Sequence, residues 1–123
     1  MTRDTRRASP PETAGGDEAR ELYDELTDDL LYDPAVGRAT MMGFPCVRLA
    51  GTFLATYDGK AGCLVLKLPR ERVAALIANG SGETFAPAGK AFREWVSIHT
   101  IDRDLWQQLL AEAVQFARQQ LDQ

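Results

Sequence analysis

Two thiols, Cys46 and Cys63, and a single imidazole, His99, are the side chains of this 123-residue chain best suited to nucleophilic chemistry. A cysteine attacks as its thiolate, which needs an accessible, electropositive setting or a histidine to take the proton. Only a fold-driven approach brings either thiol to His99. Sixteen residues separate the two cysteines, a spacing that fits neither paired metal ligands nor a disulfide framework. Free cysteine otherwise behaves as a small buried hydrophobe. Core packing is therefore the expected role of both, with a thiol-dependent enzyme as the minor alternative. His99 is expected to cap or pack at a strand-to-helix junction.

A second group carries binding chemistry. Lys67, Lys90, Arg93 and Trp95 converge if the strands around them are neighbours, and rings on a sheet flanked by cations stack nucleobases or other flat ligands. Trp95 and Phe85 suit the inner face of a sheet equally well. Arg38 and Arg48 extend the basic set toward a nucleic-acid surface. Gly89-Lys90 and Gly80-Ser81-Gly82 suggest phosphate loops, but the eight-residue phosphate-binding pattern is absent and no helix follows in the required register. Both read as turns. No acid pair stands in a glycosidase or protease context. No catalytic set, metal site or cofactor is expected.

The chain is 45% hydrophobic, close to the globular average of ~45–50%, and its length suits one domain. No apolar run approaches the ~18–20 residues of a membrane span, so no membrane partner is expected. The start, MTRDTRRASPPETAGG, has no apolar stretch behind its arginines and does not read as a secretory signal. A cytoplasmic location follows as the expectation. The net charge of −4 is uneven: residues 17–36 carry eight acids against Arg20 alone, whereas residues 38–98 carry eight bases against four acids. That balance disfavours a phosphate-tracking surface, which usually shows a strong basic footprint.

Residues 1–16 lack periodicity and are expected to form a flexible tail, leaving 17–123 as the domain. Ala19, Leu22, Tyr23, Leu26 and Leu30 then recur at helical spacing up to the break at Asp33-Pro34. Three strands are predicted over 39–49, 52–57 and 62–68, with Ala50-Gly51 and Asp58-Gly59-Lys60 as turns and a bend at Gly43 and Pro45. A helix starts at Pro69 and exits at Asn79-Gly80. Strands over 83–86 and 93–98 follow, and the last helix begins at 100–102. The expected fold is α+β and two-layered, in the order α-β(3)-α-β(2)-α, with a five-stranded antiparallel sheet covered by helices on one face. The other face is then open to water, a ligand or a second copy.

Several stretches share a pattern. Arg38, Met42 and Gly43 form an Arg-x-x-x-Met-Gly opening, and Leu64 to Lys67 read Leu-x-Leu-Lys. Gly89, Lys90, Arg93, Trp95 and Val96 form a Gly-basic-x-x-basic-x-Trp-Val segment, and Trp106, Phe116 and Ala117 mark the last helix. Over residues 17–121 the chain resembles the TfoX/Sxy N-terminal-domain family and the related YjbR/MmcQ-like proteins. The resemblance implies the same element order. It also implies a link to competence regulation, for which DNA binding has been suggested. Longer members add a C-terminal helical domain, whereas this chain ends at Gln123. A small non-enzymatic binding or protein-interaction domain is therefore expected, its partner a second copy in a homodimer or another protein. Arg38, Lys67, Lys90, Arg93, Trp95 and His99 are its candidate contacts, and a DNA-binding regulator component is the alternative.

Overall fold

The structure, a computed structural model, describes residues 11–122. Residues 1–10 of the expected tail lie outside the described residues. The first helix, α1 (Pro11–Leu30), starts six residues before Asp17. Proline at a first helical position has no N–H to leave unpaired and a preset φ, so it opens a helix readily. Ala19, Leu22, Tyr23 and Leu26 form the buried stripe of α1, as the spacing predicts. Thr27, also buried, satisfies its hydroxyl by donating to the Tyr23 carbonyl at 2.7 Å.

The segment predicted as one long bent strand is a complete hairpin, β1 (Val36–Met41) and β2 (Phe44–Leu49), reversed at Met42-Gly43. Both turn residues have positive φ, 54° and 86°, the left-handed pair that a tight two-residue reversal demands. The turn at Ala50-Gly51 repeats this geometry and leads into β3 (Thr52–Asp58). Asp58 organises the next loop: its carboxylate accepts from the backbone N–H of Lys60 and Ala61, at 3.0 and 3.2 Å, before β4 (Cys63–Lys67). The second helix, α2 (Arg70–Ala78), closes at Gly80, where Gly80 N–H donates to Ile77 and Ser81 N–H to Leu76. These two bonds satisfy carbonyls that a helix end otherwise leaves bare. Then come β5 (Glu83–Thr84), β6 (Trp95–Ile98) and α3 (Arg103–Leu121), the last capped by the Asp102 carboxylate on Leu105 N–H at 3.1 Å.

The described residues form an α+β two-layer fold of three helices and a six-stranded antiparallel sheet, ordered β1-β2-β3-β4-β6-β5. The sixth strand arises because the expected first strand folds in two. Alternation along the strands gives the sheet two faces. Val47, Leu49, Tyr57, Leu64, Leu66, Val96 and Ile98 share one core with Tyr23 of α1, Leu76 of α2, and Trp106, Leu109 and Leu110 of α3. The indole N–H of Trp106 reaches the Thr100 carbonyl at 2.8 Å, so that large ring is buried with its polar atom satisfied.

The opposite face presents Cys46, Phe53, Thr56, Cys63, Val65, Lys67, Trp95 and Ser97. Its buried apolar members Cys46, Phe53, Cys63 and Val65 stand outside that core. Phe53 is there because of a bulge. Val47 pairs with Ala55 and Arg48 with Phe53, so Leu54 has no partner in β2. Leu54 and Ala55 both point into the core, and the extra residue turns Phe53 to the other side.

Candidate functional site

The bulge sets up a cluster of four rings. Phe53 and Trp95 stack at 4.2 Å with their planes 6° apart, although they belong to β3 and β6, so the stack spans the end of β4 between them. Phe85 stacks on Trp95 at 5.3 Å, and Phe92 touches both Trp95 and Phe85 at an angle. The segment carrying Phe92 is held at each end by backbone bonds. Phe92 N–H donates to the Phe85 carbonyl at 3.0 Å, Trp95 N–H to Phe92 at 3.1 Å, and Leu68 N–H to Glu94 at 2.8 Å. The last bond continues the β4–β6 ladder and places the 91–95 segment beside the start of α2.

Cations gather at this end. Lys67 pairs in register with Trp95, Arg93 lies two residues before that ring, and Arg70 opens α2 three residues after Lys67. Lys90 lies exposed in the same loop. Ion pairing separates this group from five other arginines. Among the described residues Arg20, Arg38, Arg72, Arg103 and Arg118 each meet a carboxylate, whereas Arg48, Lys60, Lys67, Arg70, Lys90 and Arg93 do not. Between α2 and the 91–95 segment is an open groove of about 300 Å³, lined largely by apolar side chains with Arg70 and Arg93 among them.

Of the residues predicted from sequence, the fold brings Lys67, Lys90, Arg93 and Trp95 to one end of the sheet. Arg38 is not with them. It sits on the edge strand β1, four strands from β6, and its guanidinium binds the Asp28 carboxylate and the Asp24 carbonyl of α1. Its side chain serves the helix-to-sheet contact because residue 38 falls on the helix-covered face. His99 is also apart, past the opposite end of β6 and 3.6 Å from the Glu83 carboxylate. Sequence reading missed Phe53, whose face is reversed by the bulge, and Arg70, whose only signal was its closeness to Lys67 across Leu68-Pro69.

Both cysteines are free and buried. Ile98 pairs with Leu64, so His99 and Cys63 follow on the next rung. Burial, and then the neighbouring Asp58 carboxylate, push the Cys63 thiol up to about 11. A thiol held protonated at neutral pH is the reverse of an activated nucleophile. Among the described residues no group of three or more His, Cys, Asp or Glu side chains is placed to hold a metal ion, and no helix is long and apolar enough to cross a membrane. No family model matches the chain, and neither a curated protein nor a solved structure matches it.

Proposed function

We propose that this chain is a small, non-catalytic cytoplasmic binding domain of the TfoX N-terminal type, and that it binds through the ring cluster and the cations around it. One observation carries the reading: four of the six bases without acidic partners among the described residues, Lys67, Arg70, Lys90 and Arg93, lie toward the Trp95 end of the sheet, while five other arginines are neutralised within the chain. Unpaired cations beside partly exposed aromatic rings favour a partner with negative charge and apolar surface. The free, buried thiols suit a reducing compartment.

Stacking of nucleic-acid bases is the weaker reading, because two rings already stack on Trp95 and leave Phe92 as the most exposed ring of the cluster. Amide NMR titrations test the proposal with three probes: a mononucleotide, a short acidic peptide and a small aryl carboxylate. At least one is expected to shift Lys67, Arg70 and residues 90–95 while leaving α1 and Arg38 unmoved. No shift with any probe, or shifts confined to His99 and Cys63, overturns it.

A further inference from the structure

Resting on that reading, the geometry points to a narrower ligand for the groove between α2 and the 91–95 segment. We propose that it takes a small amphipathic carboxylate, an apolar body of one ring or a short chain ending in a single carboxylate group. Val73, Ala74 and Ile77 of α2 form one apolar wall, and Phe92 and Trp95 form the other. Ile77 is 37% exposed and Phe92 41%, so both leave apolar surface in water that an inserted body covers. At about 300 Å³ the groove is at the small end of ligand sites, which matches one ring better than a nucleotide or a length of peptide.

The anion requirement comes from the two walls. Arg70 lines the groove from α2 and Arg93 from the facing segment, and neither meets a carboxylate among the described residues. Glu71 and Glu94, their neighbours in sequence, do not line it. Two planar guanidinium forks lining one groove match the two oxygens of one carboxylate, to which each can donate charge-assisted hydrogen bonds. Thr84 adds a hydroxyl nearby. A free aryl or acyl acid and the C-terminal residue of a peptide carry this same chemistry.

The test is an amide NMR titration with 3-phenylpropionate, its uncharged amide, and a short peptide ending in phenylalanine with a free or amidated terminus. The acid is expected to shift residues 73–77, 84 and 91–95 saturably, and to bind at least about tenfold tighter than its amide. Arg70→Gln and Arg93→Gln are each expected to weaken the acid by about tenfold and to leave the amide unchanged. Both side chains are exposed and lack acidic partners, so unchanged melting temperatures check that the variants fold. Binding by the free-terminus peptide but not the small acid supports the site and identifies a chain terminus as its source. Equal binding of acid and amide, Arg variants without effect, or shifts outside the groove overturn the inference. If no carboxylate binds the groove but a nucleotide or acidic peptide shifts Lys67 and Phe53, the inference falls and the binding-domain reading stands. If no probe shifts this end of the molecule, both fall.

Discussion

Gly82 joins α2 to β5 at a point where backbone passes close over the core. A β-carbon built there meets Val96 Cγ2 at 2.6 Å, Ile98 Cδ1 at 3.3 Å and Leu76 Cβ at 3.4 Å. Valine is stiff about its first torsion and sits in the middle of β6, so it cannot swing away. Gly82→Ala is expected to cost about 1–3 kcal/mol by overpacking, read as a lower urea midpoint with an unchanged slope. Cys63 makes a separate prediction. Below its ordinary value of 9.0 the thiol is neutral in both states, but as pH rises toward about 11 the unfolded chain releases a proton that the folded protein keeps. Stability therefore falls with rising pH over that window. Tyr23, pushed upward by burial and then by Cys46, adds the same sign above 10.0. Urea midpoints measured from pH 8 to pH 11 are expected to decline from pH 9. Cys63→Ala should flatten the stretch before Tyr23 contributes, and a decline as steep in that variant counts against the assignment.

At the scale of elements, two local backbone features decide what the strands present. The β1–β2 reversal puts Met42 at φ 54° with a side chain 90% exposed, so the residue bears left-handed strain without gaining burial. Met42→Asn keeps the turn with a residue that visits this region readily, and is expected to stabilise by about 1 kcal/mol or less. Gly43→Ala, at φ 86°, is expected to cost about 1–2 kcal/mol. Thermal unfolding of the two variants reads both signs, and a destabilised Met42→Asn speaks against the strain. The bulge at Leu54 has the wider consequence. It places two consecutive residues in the core and delivers Phe53 to the ring cluster. The helices are tied separately: Arg72 of α2 donates to both oxygens of Glu112 of α3, at 2.8 and 3.2 Å.

Over the whole molecule, charge is sorted by pairing rather than by position in the chain. Residues 17–36 look strongly acidic in sequence, yet Asp24, Glu25, Asp28 and Asp33 meet Arg20, Arg103, Arg38 and Arg118. Much of the acidic charge of this region is answered within the chain. Of the six bases that meet no carboxylate among the described residues, four, Lys67, Arg70, Lys90 and Arg93, lie toward the Trp95 end. Duplex DNA, offered at low salt, therefore has about four cations to meet in one place, and the slope of log affinity against log salt is expected to be no steeper than about −4. A steeper slope means that further bases, such as Arg3, Arg6 and Arg7, make the contact.

The amphipathic stripe of α1, the turn at Ala50-Gly51, the exit of α2 at Gly80 and the α+β layering were legible in the residues, because each depends on side-chain period or on backbone preferences within a few positions. The Met42-Gly43 reversal was not, since methionine rarely adopts positive φ and gave no turn signal. The site was legible in part. Lys67, Lys90, Arg93 and Trp95 declared themselves by type and spacing, whereas placing Phe53 opposite Trp95 took a one-residue register shift between β2 and β3. Setting Arg38 and His99 aside took an ion pair to Asp28 and a contact with the Glu83 carboxylate, groups on other elements. Local periodicity thus determined the elements and named most of the candidates. Which candidates share a face, and which cations stay unpaired, was decided by the tertiary structure, because register and ion pairing are set between residues that only the folded chain brings together.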